Sequence, residues 1–373
     1  MEPELERPIT ASEAGTRNEN TALPASAPPR DMIWVFLGPQ GLRCGWSMLL
    51  FAALYHLFRI VTGIVFYSLG LVGDTFDFSA SALFFSELIP LLALLGAVAL
   101  MSLFEGRGFL SYNLNGQGRA GNFLAGAAAG FAALSALVGT LVAGGWIHCA
   151  PATLATPQIF RFAVLWSCAF LAVGLLEEGL FRSYAFFTLA RGINFWWALA
   201  TEIVLCLYLA LRGGNGALGV YAIAALGFFP CLLLHKKSAA GSAFWQAAWV
   251  TSTVFGYYHT TNGGENSTGI FAAAAIGFVF CVSIRVTGSA WWAIGCHAAW
   301  DWAETFFYGT ADSGMQGRGH FLSATPAGNP LWSGGADGPE GSLLVVGAIL
   351  LLLLILLALY GRRKPAEPAP AAH

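Results

Sequence analysis

The stretch LLEEGLFR, Leu175–Arg182, sets two adjacent glutamates and an arginine inside an apolar run long enough to cross a lipid bilayer. Ionisable groups at membrane depth are expensive, and they normally face a protein interior or a water-filled cavity. The reading that accommodates all three side chains is an all-α polytopic membrane bundle whose interior they share.

Composition supports that reading along the whole chain. Of 373 residues, 57% are hydrophobic and 10% charged, whereas a soluble domain carries roughly one quarter charged residues. Mean hydropathy is +0.65. A net charge of −2 and a pI near 6.4 offer no basic surface for a polyanion, which argues against a nucleic-acid partner. The seven cysteines are scattered, with no metal-ligand spacing, and read as small packing residues.

Apolar runs near the ~20 residues that span a bilayer recur from end to end. Ten are expected, at about Trp46–Val72, Ala82–Phe104, Asn122–Trp146, Phe160–Ala190, Phe195–Leu211, Gly219–Leu234, Ala243–His259, Gly269–Arg285, Trp291–Tyr308 and Leu343–Tyr360. The flanking organisation is a polar disordered tail over 1–44, N-terminal membrane helices over 45–159, a core over 160–308, an external Gly-, Ser- and Pro-rich loop over 309–341, a last span over 342–360 and a second tail over 361–373. Basic residues set the expected orientation. Arg30, Arg43, Arg107, Arg119, Arg182, Arg191, His235, Lys236, Lys237, Arg285, Arg362, Arg363 and Lys364 fall on one side, and Arg161, Arg212 and Arg318 oppose them. Both termini therefore read as cytoplasmic.

On a helix, Glu178 and Arg182 are four apart with the acid first, the favourable order for an ion pair. Glu177 lies about 100° around the helix and is less well placed for Arg182, so it stays available to act in a cavity; a purely structural ion cluster is the competing reading. Two further motifs sit on separate spans. FGYYHTTNGGEN, Phe255–Asn266, ends an apolar helix with His259 at a polar turn. GCHAAWDWAE, Gly295–Glu304, puts His297 and Asp301 four apart on one helix face. Neutral imidazoles and carboxylates can hold a divalent metal or orient water, and a nearby carboxylate can take that water's proton.

EExxxR (Glu177, Glu178, Arg182), FxxxH (Phe255, His259) and HxxxD (His297, Asp301), in that order on separate spans, resemble the signature of the CPBP intramembrane proteases, which include the type II CAAX prenyl endopeptidases and the bacterial relatives labelled Abi. The resemblance covers roughly Phe160 to Tyr308. It implies a helical membrane core in which Glu177 activates water for peptide hydrolysis, Glu178 and Arg182 support it, and His259, His297 and Asp301 position the water, stabilise the oxyanion or bind a metal such as zinc. It also implies a membrane-associated peptide or protein substrate and a place in a bacterial cytoplasmic membrane. A catalytically silent membrane interaction or bacteriocin-immunity protein of the same fold is the alternative, and a transporter using these residues as a proton path is the third class. Two departures from the pattern stand out: Asp301 replaces the usual Asn of the third motif, and about 195–235 reads as an inserted helical hairpin.

Other polar and aromatic residues take plainer readings. Glu87, Glu202, Arg59 and His56 read as hydrogen-bonded packing groups. Trp291, Trp292, Trp300 and Trp302 read as interfacial anchors in preference to a lining for a substrate groove, Gly126 and Gly130 as a close helix contact, and residues 260–268 as a solvated loop in preference to a polar lip over the cavity.

Overall fold

The computed structural model describes residues 33–38, 41–73, 77–151, 154–214, 216–239 and 241–361. The tails expected at either end lie outside the described residues over 1–32 and 362–373, with Arg362, Arg363 and Lys364 among them. Residues 33–38 and 41–43, expected as tail, fold into a helical turn, α1 (Ile33–Phe36), and a two-residue hairpin, β1 (Leu37–Gly38) with β2 (Gly41–Leu42). Arg43 Nε closes it by donating to the Trp34 carbonyl at 2.8 Å.

Every expected span is a helix. α2 (Cys44–Ser68), α3 (Ala80–Phe104) and α4 (Arg119–Ala143) form the N-terminal third. α5 (Thr156–Glu178) continues through a π-helical turn, Gly179–Ala185, into α6 (Phe186–Ala190). α7 (Phe195–Arg212), α8 (Ala217–Lys237), α9 (Ala243–His259) and α10 (Ser267–Thr287) follow. α11 (Trp291–Trp302) runs into a second π-helical turn, Ala303–Tyr308, and after a short helix, α12 (Pro330–Ser333), the chain returns through α13 (Val345–Tyr360). Among the described residues seven helices are long and apolar enough to cross a membrane, counting Thr156–Ala190 as one; α9, α11 and α13 are shorter.

Local chemistry explains the helix ends. Asn194 accepts from the Trp196 and Trp197 amides at 3.0 and 3.1 Å, and Asn266 accepts from those of Thr268 and Gly269 at 2.7 and 3.1 Å. Both satisfy amides that a helix start leaves without partners. Large apolar side chains on α2 and α7, including Leu57, Ile60, Ile64, Val204 and Leu207, point outward, as a lipid-facing surface requires.

Inside, α4 and α11 approach almost backbone to backbone. A Cβ on Gly126 would lie 2.0 Å from the Trp292 carbonyl oxygen, and one on Gly130 would lie 2.3 Å from that of Cys296. The small-residue pair therefore sets the central helix contact. α13 packs beside it, and Tyr360 Oη donates to Asn122 Oδ1 at 3.1 Å. The α7–α8 hairpin shares a core with its neighbours: Phe195, Ala198 and Cys231 pack with Ala247, Trp249 and Val250 of α9.

The connections sort into two groups. In one, the 105–118 segment meets the start of α2, the end of α6 and the start of α11: Ser47 Oγ and Arg191 Nη1 reach Glu105, and Trp291 Nε1 donates to the Leu114 carbonyl. In the other, β3 (Ile147–Pro151), after α4, pairs antiparallel with the last strand of the 309–344 connection, β6 (Leu322–Pro326), which follows a small hairpin of β4 (Ala311–Asp312) and β5 (Met315–Gln316). Asn266, after α9, binds Asp337 and Gly341 of the same connection, and Arg318 pairs with Asp77 at 3.4 Å. Two sets of loops at opposite ends of one bundle are what alternating crossings produce.

Candidate active site

Glu178 and Arg182 are completely buried and paired, Arg182 Nε to Glu178 Oε2 at 3.3 Å and Nη1 to Oε1 at 3.4 Å. Arg182 is possible there because its surroundings suit a planar cation. Its guanidinium lies 4.0 Å from the Phe255 ring centre and 5.5 Å from that of Phe280, and Gly277 leaves the space its Nη2 fills, since a Cβ there would be 2.1 Å away. Asn113 donates to the Arg182 carbonyl at 2.9 Å, which meets one backbone acceptor of the π-helical turn. Single π turns inside α-helices recur at functional sites, and here one follows directly on the glutamate doublet.

Glu178 has a second partner. His297 Nδ1 donates to Glu178 Oε1 at 2.8 Å, which turns the other ring nitrogen toward the remaining acids: Nε2 is 3.7 Å from Glu177 Oε2 and 3.5 Å from Asp301 Oδ2. His259 points Nδ1 at the Phe255 carbonyl at 2.9 Å, leaving Nε2 for the cavity. Glu177, His259, His297 and Asp301 line one cavity, together with Glu87 and Tyr258. Glu178 and Arg182 stand behind it. The two glutamates thus differ in access: the Glu177 side chain keeps 16% exposure and its Oε2 has no hydrogen-bond partner, whereas Glu178 keeps none and is held by Arg182 and His297.

His259 reaches this cavity from the last turn of α9, whose 17 residues rise about 25 Å. The following turn completes the wall. Asn262 lines the cavity and donates to Glu265 Oε1 at 2.8 Å, so residues 260–266 form a polar lip in place of the solvated loop expected from sequence. Trp300 also lines the cavity, and Trp292 is fully buried, so neither serves as an interfacial anchor. Glu87, read from sequence as a packing group, faces the same space as Glu177; a second acid on an otherwise apolar span was the signal for it.

A metal bound by His259, His297 and Asp301 would need their donor atoms gathered around one point. Among the described residues, the one set of three or more such atoms lying within 4.8 Å of one another is Glu304, Asp312 and Glu340. His297 Nε2 and Asp301 Oδ2 are 3.5 Å apart and face the cavity that His259 also lines, so these three residues are the ones that would hold a divalent ion there.

Fold and cavity together define a polytopic helical membrane protein with a buried Glu–Arg–His cluster opening onto a polar chamber. Residues 233–303 match the Rce1-like family, described as type II CAAX prenyl endopeptidase Rce1-like. The match carries His259, His297 and Asp301 and agrees with the resemblance to the CPBP intramembrane proteases; the glutamate motif lies N-terminal to it. No curated protein and no solved structure matches the chain.

Proposed function

We propose that the protein is an integral-membrane endopeptidase that hydrolyses a peptide bond in or near the bilayer, with Glu177 as the general base. The observation that carries this reading is the unequal access of the two glutamates beside a shared histidine. Water in the cavity gives a proton to Glu177 while its oxygen bonds to the peptide carbonyl carbon. As the tetrahedral intermediate collapses, the C–N bond breaks and the proton passes from Glu177 to the leaving nitrogen, giving an acid and an amine. His297, fixed through Nδ1 by Glu178, and His259, fixed by the Phe255 carbonyl, turn Nε2 to the cavity, where it accepts a hydrogen bond from the attacking water and, in the imidazolium form, donates to the developing oxyanion. Asp301 orients His297 from its Nε2 side. Arg182 holds Glu178 in place through their buried ion pair and does not touch substrate. These steps use Glu177 and water; a divalent ion held by His259, His297 and Asp301 would polarise the same water.

Both termini and the connections at Arg107, Arg191 and Lys236 belong, in this reading, to the cytoplasm. Peptides ending in a prenylated CAAX sequence are the first substrate class to offer, because the matching family is named for them. The test is purified protein in liposomes with a peptide library that includes prenylated and unprenylated members, cleavage being read by mass spectrometry. Cleavage supports the protease reading. A folded wild-type protein inert toward every member favours the catalytically silent interaction protein instead.

A further inference from the structure

Next to Asp301, part of the cavity wall is made by the connection between α11 and α13, and it contributes carboxylates. Glu304, in the π-helical turn after α11, is completely buried, and neither of its oxygens has a hydrogen-bond partner. One of its oxygens lies within 4.8 Å of an oxygen of Asp312 and of one of Glu340, which lie within that distance of each other. None of the three, nor their neighbours Asp337 and Glu265, forms an ion pair with a basic side chain among the described residues.

Each of the two loop carboxylates is held by a neutral donor on one oxygen. Thr305 Oγ1 donates to Asp312 Oδ2 at 3.0 Å, and Trp300 Nε1 donates to Glu340 Oε1 at 2.6 Å. These contacts orient the carboxylates without neutralising them. The backbone is also shaped for close approach: Gly338 has φ +110°, and a Cβ there would sit 2.2 Å from the Ala311 carbonyl oxygen and 3.1 Å from Glu304 Oε1. One buried and two half-buried carboxylates with no counter-charge repel one another. An unpartnered buried carboxylate facing two others is the arrangement that a cation resolves.

We propose that Glu304, Asp312 and Glu340 form a binding site for a hard divalent cation, calcium by preference, that fastens the 309–344 connection to the end of α11. All donors are oxygens, which suits calcium or magnesium over zinc. The three oxygens lie within 4.8 Å of one another, near enough to share one ion; calcium accepts an irregular carboxylate set, whereas magnesium demands near-ideal octahedral geometry. Asp312, Ser313, Met315 and Glu340 also line the cavity. Occupancy of the site therefore holds one wall of the chamber in place while the Glu177 wall stays on the α5–α6 segment.

The site stands apart from the protease reading, and its test does not use hydrolysis. Full-length protein purified in detergent is stripped with chelator, returned to pH 8 at constant ionic strength and titrated with calcium chloride, magnesium chloride or sodium chloride, with calorimetric binding and thermal melting as readouts. Wild type is expected to bind calcium saturably with a rise in melting temperature, magnesium more weakly and sodium without saturation. Glu304→Gln, Asp312→Asn and Glu340→Gln should each weaken calcium binding roughly ten-fold or more. Should Glu304→Gln fail to fold, the two loop variants, in partly exposed positions, test the same site. Absence of saturable calcium binding by wild type would mean carboxyl groups that share protons instead of a cation, and it would overturn the proposal. So would calcium binding that all folded variants retain unchanged.

Discussion

At the scale of the residue, the glutamate doublet works by asymmetry. Helical spacing alone pairs Glu178 with Arg182, and the pair is present as a fully buried contact. What spacing along one helix does not reveal is the third member, since His297 is 119 positions away and meets Glu178 only once α11 is packed against α5. The triple contact predicts how the variants fail. Removing one member of a buried charge pair costs about 3–5 kcal/mol, so Glu178→Gln and Arg182→Ala should both lower the melting temperature and yield of detergent-solubilised protein. Arg182→Lys should rescue only part of that loss, because a point charge replaces a planar group that stacks on Phe255 at 4.0 Å. Melting curves of the three variants check this; wild-type stability in Arg182→Ala would show that the buried pair contributes little.

At the scale of the element, helix contacts were legible where small residues recur and illegible where backbone geometry departs from the α-helix. The Gly126 and Gly130 spacing marks the α4–α11 contact correctly, and the structure leaves no room for a side chain at either position. Gly130→Val should therefore separate the two helices, with an overpacking cost of about 1–3 kcal/mol or more and disturbed placement of His297 one turn away. Gly139→Ala, on the same helix with nothing within 4 Å of a new Cβ, should be neutral or slightly stabilising. Thermal melting of both variants separates a specific contact from a general glycine effect. The two π-helical turns have no such sequence mark, since Gly179–Ala185 and Ala303–Tyr308 continue their helices with ordinary helix-compatible residues.

The 309–344 connection was legible as a loop but not as a wall of the cavity, because its contacts to Asn266 join segments some seventy residues apart. Burial raises the carboxyl groups of Glu265 and Asp337 to about 7 from ordinary values of 4.5 and 3.8. The folded loop then retains protons that the unfolded chain has released. Its stability is greatest below about pH 4 and falls as the pH rises through 7. In chelated protein, hydrogen exchange over 309–341, corrected for intrinsic rates, should show stronger protection at pH 5 than at pH 8. Equal protection would contradict this role for the two buried acids.

At the scale of the whole molecule, each of the ten spans expected from hydropathy is helical, and the observed end residues differ from the expected ones by a few positions; α9 coincides at both ends. The short helices gave the same apolar signal as the long ones, so hydropathy did not show that the end of α9 brings His259 to the cavity that His297 lines. The two groups of connections predict opposite labelling. Single cysteines near Lys236 and within 309–341, in a cysteine-free background, should react from the cytoplasmic and external sides respectively, and rapid external labelling near Lys236 would reverse the assigned orientation.

The central claim, that Glu177 rather than Glu178 takes the proton from water, is tested most directly by comparing peptide hydrolysis by wild type, Glu177→Gln and Glu178→Gln in liposomes after melting curves have established the folded fraction of each. Loss of a general base alone costs typically about 10²- to 10⁴-fold in rate. Glu177→Gln should lose hydrolysis on that scale while melting close to wild type, and Glu178→Gln should lose stability together with whatever activity it loses. Near-normal hydrolysis by Glu177→Gln, or instability equal to that of Glu178→Gln, would contradict the assignment and leave the cluster as a structural one.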